Sequence, residues 1–263
     1  MSLKRIRPFG GGFPVKKRSK VTQISSSSAG DDQLDYTKHE DIPNDTKAAL
    51  MYLKSIFPVT AFRGRVPAII LKHQLYSIIK DKTIVDRQLN DMWEKNEVRL
   101  FKLTSGSDEF AIVMSSDYLA HVKSKMTENT RKTAEKFLSF VLPNCIDVSF
   151  GKSTLVDNHK LTEDEITHLI NMGVLAVRDV GSWWLSIPGV GAYMKNFMKG
   201  RKALIRLLKN RKYKEILQKD LETRSLSNQS KLGMTYHLHD IIGAELVKSI
   251  ETTSGQLLRL ERT

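Results

Sequence analysis

The sequence contains almost no cysteine and no long apolar run. Cys145 is the only cysteine among 263 residues, which excludes an internal disulfide and a cysteine-clustered zinc site. No apolar run approaches the roughly 20 residues that a membrane-spanning helix requires. The first 30 residues also lack the apolar core of a secretory signal. We therefore expect no membrane partner and a reducing compartment, with Cys145 as a small buried apolar side chain.

Negative charge is missing from a long stretch in the second half of the chain. Between Val180 and Lys214 there is no Asp or Glu, in a chain whose net charge is +13. Nine Lys or Arg side chains occupy the same stretch. A solvated protein surface normally mixes both signs, whereas a single sign favours binding to a polyanion. We interpret the stretch as a surface that contacts the phosphates of double-stranded DNA.

Helical spacing separates these charges from apolar residues. Steps of four and three residues place five basic residues on one face of a helix, namely Lys195, Lys199, Lys202, Arg206 and Lys209. Leu204, Ile205 and Leu208 lie on another face. The full set of predicted DNA-contacting residues is Lys195, Lys199, Arg201, Lys202, Arg206, Lys209, Arg211, Lys212, Lys214 and Arg224. Because such side chains meet phosphates and not base edges, we expect binding that is largely independent of DNA sequence.

Residues 1–44 are predicted to form a disordered tail that is first basic and then acidic, with Gly and Ser runs. Two basic clusters separated by ten residues match a bipartite nuclear-import signal, made of Lys4, Arg5, Lys16, Lys17, Arg18 and Lys20. The sequence therefore predicts a nuclear protein. Direct contact between the tail and DNA is a second use of the same charge.

Helix patterns and hairpin patterns alternate after the tail. Asp45 and Thr46 can cap a helix that Pro58 ends, and further helices are predicted over 67–79 and 83–96. EVRLFKL and FAIVM, separated by the turn TSGSDE, then predict a β-hairpin. Three helices followed by a hairpin form the winged-helix pattern, in which the third helix usually enters the major groove of DNA.

The third predicted helix has features of its own. Thr83 is expected to begin it, with Ile84, Leu89, Met92 and Trp93 facing inward. Its outer surface mixes acidic and basic residues, which suits a DNA groove poorly. We therefore interpret the first winged helix as a structural or protein-binding copy. Lys72 and His73 on the preceding helix are further candidate DNA contacts.

The same order recurs later in the chain. LTEDEITHLINMG predicts a helix with a Thr162–Glu165 capping box and an end at Gly173, after an earlier helix in ENTRKTAEKFLSFVLPN. VLAVRDV and WWLSIP predict a second hairpin, and a fainter third copy follows in KYKEILQKDL, HLHDIIGAELVKSI and QLLRLER. We predict an α+β fold, mainly α, with three tandem winged-helix domains after the disordered basic N-terminal tail. The boundaries are 1–44 for the tail and 45–127, 128–198 and 199–263 for the three winged helices.

Motifs that would carry enzyme chemistry are missing from the sequence. Gly189 and Gly191 form a GxG, but neither a GxGxxG nor a GK[ST] follows. The HRD, DFG and VAIK-like motifs of protein kinases do not occur in suitable order. His237 and Asp240 in YHLHD have no second cluster that would complete a metal site. We predict no catalytic residue, no metal and no cofactor.

Two adjacent tryptophans lie in the second predicted hairpin. Because successive side chains of a strand point to opposite faces, Trp183 and Trp184 cannot both face the same core. One is expected to be buried. The other is expected to be partly exposed as an anchor for a partner, or covered by a neighbouring unit.

Several long stretches resemble a known family. EITHLINMGVLAVRDVGSWWLSIPGVGAYMKNFMKGRKA, KLGMTYHLHDIIGAELV, TTSGQLLRLE and PAIILKHQLYSIIKDKTIVDRQL resemble the serine/threonine-protein kinase 19 family, and the likeness spans residues 45–263. Despite the family's name, the resemblance implies three winged-helix units without a kinase fold, in a nuclear DNA-binding scaffold. It places the DNA-contacting surface on Lys195, Lys209, Lys212 and Arg224.

The resemblance also implies a pathway and partners. The pathway is transcription-coupled nucleotide excision repair. The implied partners are stalled RNA polymerase II, the Cockayne-syndrome ubiquitin-ligase complex, the UV-stimulated scaffold protein and the TFIIH helicase. Two alternatives stay open: a serine/threonine protein kinase, and a purely protein-binding winged-helix module whose charge meets acidic partners. Homodimer formation is also left open.

Overall fold

Helices and strands follow one another in the same order three times along the chain. The computed structural model describes residues 45–103, 110–226 and 228–261. The predicted tail at 1–44, with its nuclear-import signal, lies outside the described residues, as does the predicted hairpin turn at 104–109. In each repeat a helix, a short strand, a second helix or helical turn and a third helix precede a pair of strands.

The three sets of elements have the following bounds. The first set is α1 (Asp45–Ile56), β1 (Ile70–Leu71), α2 (Lys72–Tyr76), α3 (Lys82–Glu94), β2 (Val98–Lys102) and β3 (Phe110–Met114), after which α4 (Ser115–Ser124) leads onward. The second set is α5 (Glu128–Lys136), β4 (Ser149–Gly151), α6 (Glu163–Met172), β5 (Leu175–Asp179) and β6 (Ser182–Leu185), with π-helical turns at Phe137–Val141 and Ser153–Asn158. The third set is α7 (Val190–Lys209), β7 (Glu215–Leu217), α8 (Gln218–Glu222), α9 (Met234–Gly243), β8 (Val247–Thr252) and β9 (Gly255–Leu260).

Each set contributes one three-stranded antiparallel sheet in which the last strand lies in the middle. The strand orders are β1-β3-β2, β4-β6-β5 and β7-β9-β8. In the first sheet, Ile112 of β3 pairs with Ile70 on one side and with Leu100 on the other. The fold is therefore mixed α/β, and both hairpins predicted with most detail, β2–β3 and β5–β6, are confirmed as antiparallel pairs.

Local hydrogen bonding confirms the predicted capping box of α6. The Glu165 backbone N–H donates to Thr162 Oγ1 at 3.2 Å, and the Thr162 backbone N–H donates to Glu165 Oε2 at 2.9 Å. Gly173 ends the helix with a φ of 76°, the left-handed conformation that glycine adopts readily. The sequence pattern located both ends of this helix because each end is fixed by residues of the helix itself.

The prediction of a helix over 67–79 is wrong at its N-terminal end. Ile70–Leu71 form β1 and pair with β3, and α2 covers only Lys72–Tyr76. Strand pairing with a distant segment outweighs the local helical pattern here, since both residues of β1 are fully buried.

The third helix begins earlier than predicted, and one residue of its predicted inward face is exposed. Asp81 is its N-cap, because its side chain accepts hydrogen bonds from the backbone N–H groups of Thr83 and Ile84. Ile84 is 37% exposed, whereas Val85 is fully buried. The expectation that Ile84 faces inward is therefore wrong, while Leu89 is buried as predicted.

One hydrophobic core joins the first two sets and also includes Tyr236 of α9, and a second core lies within the third set. Phe101 and Tyr118 from the first set share a core with Phe137 and Trp183 from the second. Helix α7 passes from this core to the other: Tyr193 and Phe197 belong to the first core, and Leu204 and Leu208 to the second. The predicted boundary between 198 and 199 falls inside this continuous helix, and the domain boundaries stay a prediction.

The two tryptophans take the two environments expected of neighbours on a strand. Trp183 is 8% exposed and lies in the core. Trp184 is half-buried on the opposite face of the sheet, where the Arg178 guanidinium carbon lies 4.4 Å from the centroid of its ring. The interaction is a cation–π contact. It covers part of the second tryptophan from within its own sheet.

Cys145 is less enclosed than predicted. It is half-buried, and its Sγ lies 3.4 Å from His159 Nε2. Burial is the main cause that raises the pKa of its thiol.

Among the helices that the structure describes, none combines the length and the apolar content that crossing a membrane requires.

A buried ionic cluster joins the third set to the first. The side chain of Asp240 on α9 is completely enclosed. Its carboxylate accepts a hydrogen bond from Arg201 Nε–H on α7 at 2.8 Å and another from His73 Nε2–H on α2 at 2.7 Å. Burial alone would raise the pKa of Asp240, but the hydrogen bonds from Arg201 and His73 outweigh burial and hold the pKa below its ordinary value.

Helices α7 and α9 approach closely beside this cluster because Gly200 has no side chain. A Cβ on Gly200 would lie 1.9 Å from Nε2 of His237. The imidazole cannot swing aside easily, since it stacks on Phe197 and Nε2 lies 2.9 Å from Ser230 Oγ. Burial lowers the pKa of His237 to about 4, so the ring is neutral at pH 7.

Gly200→Ala is expected to destabilise the fold by about 1–3 kcal/mol, because the added methyl group collides with a buried ring. Gly191→Ala in the same helix is the matched control, since nothing lies within 4 Å of its added Cβ. Thermal unfolding of both variants tests the close packing of α7 on α9. A melting temperature for Gly200→Ala equal to that of Gly191→Ala would contradict it.

Candidate nucleic-acid interface

Helix α7 presents most of its basic residues to solvent and most of its large apolar residues to the two cores. Lys195, Lys199, Lys202, Arg206 and Lys209 are all exposed. At a rise of about 1.5 Å per residue they extend over about 21 Å of helix. We call these five residues the basic stripe.

The apolar side of the same helix fixes the direction of the basic stripe. Leu204 and Leu208 are fully buried as predicted, whereas Ile205 is only half-buried. Burial of the large apolar side chains prevents the helix from rotating about its axis without exposing them to water. The basic stripe therefore faces solvent as a consequence of core packing.

Gly189 positions the start of the helix. It has a φ of 82° as the N-cap residue, a conformation that favours glycine. A Cβ at this position would lie 2.4 Å from the carbonyl oxygen of Arg65. Both facts explain the glycine by backbone conformation and packing, so the GxG of the sequence needs no bound nucleotide to account for it.

A groove runs beside the middle of the basic stripe. It encloses about 590 Å³ between α7 and three later residues, Ser225, Leu226 and Gln229. Lys199, Lys202 and Arg206 line it on the α7 side. No carboxylate among the described residues lines this groove. The electrostatic environment therefore suits an anionic ligand along this side of the helix.

The structure also brings other basic residues close to the stripe. Arg224 is exposed, and the next residue in the chain lines the groove. The Lys231 backbone N–H donates to Asn196 Oδ1 at 3.2 Å, which holds the exposed Lys231 beside α7. Sequence reasoning missed Lys231 because its sequence distance from α7 gives no sign of this contact.

Three further predicted residues lie beyond the end of α7. Arg211, Lys212 and Lys214 are exposed in the turn that leads into β7. Lys212 and Lys214 line a second groove together with Lys248 and Arg259. The last two residues lie on β8 and β9, and only the register of the third sheet reveals that they approach the turn.

Arg201 differs from the other predicted contacts. Its side chain is only 16% exposed, and it forms an ion pair with the buried Asp240. Its guanidinium carbon also lies 4.4 Å from the centroid of the Phe197 ring. These contacts give Arg201 a structural role between α7 and α9, in place of the predicted exposure to phosphate.

The two candidate DNA contacts on α2 also interact with partners inside the fold. Lys72 forms an ion pair with Asp86 at 2.9 Å, and its side chain is largely enclosed. His73 donates to Asp240. Neither side chain extends freely into solvent, so the basic surface is concentrated on α7 and the turn that follows it.

The third helices of the second and third sets are poorly suited to a DNA groove. Helix α9 is largely buried, with Tyr236, Leu238 and Ile241 almost fully enclosed. Helix α6 carries Glu163 and Asp164 exposed in its first turn. Both features disfavour close approach to phosphates. The basic stripe lies on α7, which is the first helix of the third set.

Neighbouring residues of α7 are expected to separate stability from DNA affinity. Arg201→Met leaves the Asp240 carboxylate buried without its main partner, so the free energy of unfolding should fall by about 3–5 kcal/mol. Lys202→Met removes an exposed charge, so stability should change by less than about 0.5 kcal/mol while duplex DNA affinity falls. Chemical denaturation and fluorescence anisotropy measure the two quantities. Equal stability of the two variants would contradict the assignment.

Comparison with known proteins places the chain in a family. A family model described as inactive serine-threonine protein kinase 19 matches residues 37–260. Winged helix repair factor 1 of Homo sapiens is 40% identical over 264 residues, which cover 100% of this chain and 100% of that protein. The protein of the same name from Xenopus laevis is 39% identical over 248 residues, or 93% of this chain and 95% of its own length. The chain belongs to the family described as inactive serine-threonine protein kinase 19.

Proposed function

We propose that this chain is a non-enzymatic scaffold of DNA repair that binds double-stranded DNA through the basic residues of α7 and of the turn after it. The observation that carries the proposal is the exposed basic stripe beside a groove that no carboxylate of the described residues lines. The names of the relatives, which contain the words winged helix and repair factor, support the repair role.

The three sets of elements are proposed to be three tandem winged-helix units. Each set has three helical segments, a three-stranded sheet and a terminal hairpin in the same order, which is the arrangement expected of a winged helix. The first two units share a core, and α7 connects them to the third. The units are therefore proposed to act together as one support for the basic stripe.

Binding is proposed to depend on the DNA backbone and to be tolerant of base sequence. Lys and Arg side chains that meet phosphates determine affinity and position, while base edges determine sequence preference. The buried α9 and the acidic start of α6 leave no basic recognition helix in these two sets to enter a major groove.

The cellular setting is also a proposal. The protein is proposed to act in the nucleus during transcription-coupled nucleotide excision repair, bridging stalled RNA polymerase II, the Cockayne-syndrome ubiquitin-ligase complex, the UV-stimulated scaffold protein and the TFIIH helicase. The family of the chain and the exposed basic stripe support this role. Co-purification of the chain with none of these proteins after ultraviolet damage would contradict it.

The kinase alternative is not favoured. The family is described as inactive, and relatives that align over the whole chain or nearly all of it are named repair factors. Transfer of phosphate from ATP to a protein substrate by the highly purified chain would overturn the non-enzymatic part of the proposal.

Charge reversal on the groove side of α7 is expected to weaken duplex binding by at least about tenfold, because three phosphate contacts become repulsive. The variant is Lys199→Glu, Lys202→Glu and Arg206→Glu together, measured by fluorescence anisotropy on duplexes of unrelated sequence. The matched control is Arg87→Glu on α3 together with Lys95→Glu directly after it, where both residues are exposed among acidic neighbours.

The control variant should bind DNA nearly as tightly as the unchanged chain. Undiminished binding by the α7 variant would refute the proposed interface. Tight binding of an acidic protein partner with no binding to duplex DNA would favour the purely protein-binding module instead.

A further inference from the structure

Tyr213 is an aromatic side chain that the fold leaves open to solvent. It lies in the turn between α7 and β7 and is 70% exposed. At this exposure the ring contributes little to the hydrophobic core. Its position directly after the basic stripe therefore calls for a role outside packing.

The backbone around Tyr213 is held in place by hydrogen bonds. The Lys214 N–H donates to the carbonyl oxygen of Arg211 at 3.0 Å, which closes the turn. Lys214 has a φ of 56°. Its own carbonyl oxygen accepts a hydrogen bond from the Leu260 N–H of β9 at 3.0 Å. The turn is thus anchored to the third sheet at one end and to α7 at the other, so the exposed ring is carried on an ordered support.

Positive charge surrounds the ring. Lys212 Nζ lies 5.1 Å from the centroid of the Tyr213 ring, which is within cation–π distance. Because most of the side chain remains exposed, the lysine leaves the rest of the ring accessible. Tyr213 lines a groove of about 630 Å³ together with Lys212, Lys214, Lys248 and Arg259.

Two carboxylates also line this groove, and they do not neutralise it. Glu215 forms an ion pair with Arg259. Glu261 is the second acidic residue. The Glu215–Arg259 pair has no net charge. The other charged residues of the groove are the three lysines at positions 212, 214 and 248 and one carboxylate, that of Glu261. The groove thus retains positive charge next to an exposed aromatic ring.

An aromatic ring beside lysines matches the chemistry of an unpaired nucleotide. The face of the base can stack on the ring, while its phosphate meets the ammonium groups. Bases inside a duplex are already stacked on each other and cannot reach the ring without being extruded. The second groove is therefore suited to single-stranded nucleic acid, in contrast to the basic stripe with its run of charges and no exposed aromatic ring.

We propose that Tyr213 stacks on an unpaired nucleobase, so that the chain prefers DNA in which a duplex meets a single strand. The inference rests on the proposed function, because the basic stripe would hold the adjoining duplex. The turn at Tyr213 continues directly from the end of α7, so the single strand would leave the duplex at this end of the stripe.

The test uses the full chain and three fluorescent probes: a blunt duplex, a single strand and a forked duplex with unpaired thymidine arms. The unchanged chain should bind the fork about 5- to 100-fold more tightly than the blunt duplex, the range expected for stacking on one base. Tyr213→Ala should abolish this preference and leave duplex affinity within about twofold, since the ring makes no duplex contact. Tyr213→Phe should retain the preference, because stacking needs the ring and not the hydroxyl.

A spectroscopic probe and a matched control complete the design. A 2-aminopurine placed next to the fork should change its fluorescence on binding to the unchanged chain and to Tyr213→Phe, but not to Tyr213→Ala. Phe140→Ala removes another aromatic side chain, which is 64% exposed on the second set, and should keep the preference. Melting temperatures of all variants verify that each is folded.

The outcomes separate this inference from the proposed function. Duplex binding without preference for the fork would overturn the nucleobase site and leave the proposed function intact. A fork preference that persists in Tyr213→Ala, or that Phe140→Ala also abolishes, would likewise overturn the site. Failure of the unchanged chain to bind any of the three probes would overturn both. Capture of a protein partner through Tyr213, with no fork preference, would assign the ring to protein recognition.

Discussion

The ion pair between Arg201 and Asp240 is the interaction on which the position of α7 depends. The carboxylate is fully enclosed, and it is held by α7 through Arg201 and by α2 through His73. A buried carboxylate is costly without such partners, so the three helices are constrained to meet at this point. Gly200, one residue away, allows the backbones to approach closely enough. The orientation of every exposed residue on α7 follows from this contact and from the burial of Leu204 and Leu208.

A single helix thus divides its basic residues between two tasks. Arg201 is directed inward and stabilises the fold, while Lys199 and Lys202 on either side of it in sequence face solvent. This division explains how α7 can carry many positive charges although its own sequence contains no Asp or Glu. The single buried charge is neutralised by a carboxylate from another helix, and the exposed charges are available to a polyanion. The first core supports the N-terminal part of α7, and the third sheet supports its C-terminal part.

Sequence patterns predicted the features that depend on neighbouring residues. The capping box of α6 and the two faces of α7 are of this kind, since their partners lie within a few positions or one helical turn. The two hairpins also join strands that are neighbours in the sequence. Features that depend on distant partners were missed. The strand β1 pairs with a segment about 40 residues later, and Arg201 meets an acid 39 residues away. Likewise, no local pattern shows that Lys248 and Arg259 approach the turn after α7, because the register of the third sheet places them there.

The salt dependence of duplex binding tests the central claim most directly. Each phosphate that a Lys or Arg neutralises lowers the slope of the logarithm of the binding constant against the logarithm of salt concentration by about 0.9. If the five residues of the basic stripe all contact phosphates, the slope should be about −4.5 or steeper, and it should be the same for duplexes of unrelated sequence. A slope close to zero would contradict the account, because the exposed charges of α7 would then not be the groups that meet DNA.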